Sequence, residues 1–101
     1  MAHSVALAPS ARRDLRHIVR YISLDNRERA EAFGRMLIDR TKRLPSFPEI
    51  GREVPELNDP TFREIIVRSY RIVYRMREAQ RLVEIVRFWH AARGTPQIDA
   101  S

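Results

Sequence analysis

Three β-rich runs close the chain with very little between them, and they limit its fold more than any other feature. They are FREIIV (62–67), YRIVYRMR (70–77) and LVEIVRFWH (82–90). Enrichment in β-branched and aromatic residues predicts a strand in each. The gaps, Arg68-Ser69 and the stretch 78–81, are too short for a parallel crossover, so the three must run antiparallel. Such a meander exposes an apolar face that another layer has to cover.

The covering layer is legible upstream. Ala11, Leu15, Ile18, Val19 and Ile22 repeat at the spacing of one helix face, after Ser10 as a candidate cap. Arg12, Arg13, Arg16 and Arg20 form a basic stripe on the other side. Asp25 and Glu28 have capping-box spacing, and Ala30, Phe33, Leu37, Thr41 and Leu44 follow as a second inner face that Pro45 ends. A short apolar run, HSVAL, precedes both helices. The expected order is β-α-α-β-β-β, an α+β domain with a two-helix hairpin on one face of an antiparallel sheet. Residues 1–93 are read as the domain and 94–101 as a loosely ordered tail. Residues 45–61 hold four of the six prolines. A loop that long in a compact domain is a candidate binding or catalytic segment.

Strand alternation sorts the side chains. A four-residue turn at 78–81 places Arg77 opposite Leu82, Met76 opposite Val83, Tyr74 opposite Ile85 and Tyr70 opposite Trp89. The face with Tyr70, Ile72, Tyr74 and Met76 should lie under the helices. The other face carries Arg75 opposite Glu84, and Arg71 opposite Phe88 with His90 as its diagonal neighbour. A guanidinium and an imidazole on one open face can hold an anion. In the plainer alternative, Arg71 bonds the chain terminus or a helix carboxylate and His90 is a strand-end histidine with one satisfied nitrogen.

Composition narrows the function. The 101 residues suit one domain, and no apolar run approaches a membrane span. MAHSVALAPS lacks the basic start and apolar core of a signal peptide, and cysteine is absent. A cytoplasmic protein is expected. The net charge of +6 favours a polyanionic partner: nucleic acid, a ribosome or an acidic protein. No HExxH, CxxC, Walker or GxGxxG pattern is present, so neither metal nor other cofactor is expected.

GREVPEL, REIIV, YRIVYR and EIVRFWHAAR, in that order, resemble the RelE/ParE superfamily, the toxin halves of bacterial type II toxin–antitoxin (plasmid stabilisation) modules. The resemblance runs from APSARRDL to Arg93. It implies a growth-inhibiting toxin and an acidic antitoxin that folds on it. RelE-like members are similar to endoribonucleases that cut mRNA on the ribosome, whereas ParE-like members poison DNA gyrase. In one RelE-like branch a loop Glu is general base, a strand Arg holds the phosphate and a terminal His is general acid. Those roles fall on Glu56 of VPEL, Arg71 of YRIVY and His90 of FWH. Arg63, Arg75, Arg77 and Arg93 are the candidate nucleic-acid or target-binding residues. HAAR in place of an aromatic after the histidine is closer to ParE-like members. The expectation leans to mRNA cleavage, with gyrase inhibition as the alternative. A non-catalytic basic nucleic-acid-binding module is the reading from another class.

Overall fold

The computed structural model describes residues 3–98. Along the chain lie β1 (Ser4–Leu7), α1 (Pro9–Ser23), α2 (Arg27–Asp39), β2 (Arg52–Glu53), β3 (Phe62–Val67), β4 (Tyr70–Arg77) and β5 (Leu82–His90). The sheet order is β1-β5-β4-β3-β2. This is the expected α+β layering, and the three meander strands keep their expected bounds. The sheet is mixed, however. β1 pairs parallel with β5, because the whole helical hairpin separates them in sequence and supplies the crossover. The proline-rich loop also contributes β2, whose Arg52 and Glu53 pair antiparallel with Glu64 and Arg63. Among the described residues no helix is long and apolar enough to cross a membrane.

The helix ends differ from expectation by a residue or two. Pro9 opens α1, where its fixed φ fits and its missing N–H costs nothing. Ser10 therefore sits inside the first turn, and its hydroxyl donates to the Val86 carbonyl at 2.6 Å. The α2 cap is Asn26, which accepts from the Arg29 N–H at 2.9 Å, instead of Asp25. α2 stops at Asp39 and loose turns carry the chain on, yet Thr41 and Leu44 remain buried.

Two apolar clusters sandwich the sheet. The larger joins Ala11, Ile18, Leu37, Ile72, Tyr74, Ile85 and Phe88 under the helices. The smaller lies on the far face, where Val54, Phe62, Val73 and Val86 are covered by Leu57 of the loop and Ile98 of the tail. The far face is thus half covered, and the tail is not loose through residue 98. Pro96 is buried, and the Arg87 guanidinium donates to the Gln97 carbonyl at 2.9 Å.

The hairpin register matches expectation from Arg77–Leu82 to Tyr74–Ile85 and then slips. Val73 faces Arg87, so Val86 is an extra residue in β5, a β-bulge. Beyond it Ile72 faces Phe88, Arg71 faces Trp89 and Tyr70 faces His90. The bulge has local causes: the Val86 side chain fills the far-face cluster while its carbonyl takes the Ser10 hydroxyl.

Candidate functional site

Arg71 is the centre of a charged cluster in which it and Glu64 are buried. β4 carries it on the face away from the helices. β3 brings Glu64 to it, the proline-rich loop brings Glu56, and the segment after β5 brings the Gly94 carbonyl. Arg71 Nε donates to Glu64 Oε1 at 2.6 Å and Nη2 to Glu64 Oε2 at 3.2 Å. Nη2 and Nη1 donate to the two oxygens of Glu56 at 2.6 and 2.8 Å. Nη1 also reaches the Gly94 carbonyl at 3.2 Å. A guanidinium has five N–H groups, and these five bonds occupy all of them.

The electrostatics follow from this packing. The Glu64 side chain is fully buried, and Arg52 provides its second cation at 2.8 Å. Hydrogen bonds from Arg71 hold the Glu56 carboxyl down to a pKa of about 2. The same bonds raise the Arg71 pKa further above its ordinary value. Two arginines and two glutamates make a formally neutral cluster, closed on itself. It ties loop, sheet and tail together, and Trp89 adds an Nε1–H bond of 3.0 Å to the Gly94 carbonyl.

The expected catalytic set is therefore split. Glu56 and Arg71 meet, but His90 does not join them. The Val86 bulge turns His90 to the helix side of the sheet, so the expected Arg71–Phe88 pair and its His90 neighbour do not form. A single added residue exchanges the faces of everything after it, because side chains alternate with period two. Trp89, expected under the helices opposite Tyr70, faces the other way for the same reason, and Arg87 lies opposite Val73 on that far face. His90 instead packs edge-on against Tyr70, with ring centroids 4.9 Å apart, and its Nδ1 accepts the Ala92 N–H at 3.1 Å. It shares a small hollow with His17, Tyr21 and Arg93.

The four binding candidates also scatter. Arg63 donates to the Gly51 carbonyl at 2.8 Å. Arg75 and Arg77 both reach Glu84, at 3.2 and 3.0 Å, the former as its cross-strand position predicts. Arg93 lies over the Trp89 ring at 4.0 Å and is exposed. Sequence reasoning missed Glu64 as the fully buried partner of Arg71. The usable signal was a glutamate in a β-rich run on the same strand face as an arginine, since a buried carboxylate needs a cation.

A family model described as the ParE toxin of type II toxin–antitoxin systems, parDE, matches residues 5–94. No curated protein matches the chain. Among solved structures, the chromosomal ParDE system of P. aeruginosa superposes with a TM-score of 0.73 at 20% identity, over 88% of this chain and 96% of that one. The RelBE2 toxin–antitoxin complex of Mycobacterium tuberculosis gives 0.65 at 20% identity, over 89% and 99%. A double mutant of the E. coli toxin RelE in the free state gives 0.65 at 18% identity, over 93% and 88%.

Proposed function

This chain belongs to the ParE toxin family of type II toxin–antitoxin systems, and we propose that it inhibits growth by gripping a protein target, with no RNA-cutting step. DNA gyrase, the target of ParE-like members, is the target we assign. A cognate antitoxin completes the module, and we place the pair in the cytoplasm.

One observation carries the reading: every N–H of Arg71 already has a partner. Cleavage of RNA by its own 2′-OH needs a base, a cation on the scissile phosphate and an acid at the leaving oxygen. Arg71 would have to give up a buried carboxylate to take a phosphate. Glu56, held near pKa 2, is a poor proton acceptor, since a useful base titrates near the working pH. His90 stands on the other face of the sheet, away from both. Arg93, exposed over the Trp89 ring, offers a cation to a target surface, while Arg75 and Arg77 are held by Glu84.

The test is a pair of assays on the purified wild-type chain. Inhibited supercoiling by gyrase with intact mRNA on translating ribosomes is the expected result. Codon-register cuts in ribosome-bound mRNA, with supercoiling unaffected, would establish the nuclease reading instead.

A further inference from the structure

We infer that the open end of the β3 edge, where β2 stops, is the surface that grips the toxin's target, and that it takes an extended acidic segment of that protein. The inference rests on the target-gripping reading and says where the grip lies. Exposed apolar surface, unspent backbone groups and unpaired cations meet there.

The apolar surface lies just past β2, which pairs only with Arg63 and Glu64 of β3. Beyond that pairing a hollow of about 340 Å³ opens at Ile50, Ile65 and Ile66. Ile50 and Ile66 are 47% and 48% exposed. Phe47, 58% exposed, is tied to Ile50 by a turn, its carbonyl accepting the Ile50 N–H at 3.1 Å. Among the described residues these are three of the five large apolar side chains left exposed. Exposure grouped in this way marks an interaction site, whereas single exposed residues do not.

The backbone groups follow from the β3–β4 ladder. The Met76 N–H donates to the Thr61 carbonyl at 3.0 Å, one pair before Phe62 and Arg75. Alternation then gives β4 the backbone groups of Arg63, Ile65 and Val67, and turns those of Glu64 and Ile66 outward. β2 meets Glu64, but Ile66 lies past its end. This suits an extended peptide, whose main chain supplies the matching donor and acceptor. The hollow has no aromatic ring on which a nucleic-acid base could stack.

The cations are Arg40, Arg43 and Arg52, which line the same hollow, and Glu64 is its only carboxylate. Glu64 is shared between Arg71 and Arg52, at 2.6 and 2.8 Å. Asp39, the acid next to Arg40, is paired with Lys42 at 2.9 Å. Among the described residues neither Arg40 nor Arg43 has a carboxylate in ion-pair reach. A second copy of this chain would bring two such rows together and be repelled, so the complement is an acidic partner. The edge is also continuous with the other cation offered to the target. Ile66, Arg71 and Trp89 stand in one row across the sheet, and Arg93 lies over Trp89.

The experiment uses the intact chain with gyrase holoenzyme and the antitoxin encoded beside it. R40E/R43E should need roughly ten- to a hundredfold more protein for half-inhibition of supercoiling, and I50S/I66S at least about fivefold more. Arg27→Glu, on the first turn of α2, should stay within about threefold of wild type. Circular dichroism matching the wild type, and antitoxin affinity within about threefold of it, show that the fold of both double variants survives. In cells each should permit growth at expression levels where the wild type arrests it. Double variants that inhibit as well as the wild type would overturn the surface. So would unchanged inhibition with lost binding of the antitoxin or of an oligonucleotide, which would give the surface to one of those instead. A wild-type chain that leaves supercoiling untouched overturns the gyrase reading, a separate result. In that case loss of growth arrest in the folded variants still supports the surface, and retained arrest overturns it.

Discussion

Arg71→Met tests whether Arg71 builds the fold or performs chemistry, because the two roles predict opposite outcomes. The substitution keeps an unbranched chain of similar reach and removes all five donors. Glu56 is one-third exposed, so it can rehydrate and its lost ion pair costs at most about 1 kcal/mol. Glu64 cannot do the same, since its side chain has no exposure and only Arg52 remains beside it. Breaking a buried pair on one side costs about 3–5 kcal/mol, and the surviving Arg52 places this case near 3. For a domain of this size, that lowers Tm by roughly 12–24 °C and the urea midpoint by about 1–3 M. Removing the stranded charge as well, in R71M/E64L, should recover part of the loss, because an apolar pair of similar volume replaces a buried ion pair at little cost. Thermal melts and urea titrations of wild type, the two single variants and the double give the full cycle. An R71M protein within about 1 kcal/mol of wild type that no longer arrests growth would refute the structural assignment, and with it the main support for a non-nuclease toxin.

The carboxylate of Glu56 has a folded-state pKa near 2, below its ordinary 4.5, so it adds stability above pH 4.5 that is lost as pH falls from there toward 2. Glu56→Gln should flatten the acid-unfolding profile in that window. The Tyr74 hydroxyl donates to the Pro48 carbonyl at 2.7 Å and accepts the Gly51 N–H at 3.0 Å, so Tyr74→Phe should cost about 1–3 kcal/mol and loosen residues 48–51 in hydrogen exchange. A Cβ at Gly51 would lie 2.6 Å from the Glu64 carbonyl and 2.7 Å from the Tyr74 hydroxyl. Gly51→Ala should therefore lower stability by about 1–3 kcal/mol, read from the same urea titrations.

Much of the fold was legible because its signals are local. The strands announce themselves by β-branched runs, and the inner faces of both helices, Ala11 to Ile22 and Ala30 to Leu44, by their spacing. What escaped the sequence is long-range. β1 could be read as a strand, yet its parallel place beside β5 depends on a crossover that no periodicity encodes. β2 is two residues long and exists because β3 offers an edge. The Val86 bulge was the costliest omission. Its reasons lie in Ser10, 76 residues away in sequence, and in a second cluster completed by Ile98.

That bulge also explains why motif and geometry part company here. Glu56, Arg71 and His90 stand at the right places along the chain for a base, a phosphate clamp and an acid. Spacing along a strand fixes distance but leaves the face undecided, and one unpaired residue in β5 decides it against His90. The state of Arg71 is equally invisible to spacing, because its acceptors come from a loop, a neighbouring strand and the tail. An arginine that shows one or two free N–H groups in a concave site is ready for an anion. An arginine whose five N–H groups are taken holds three segments of chain in place.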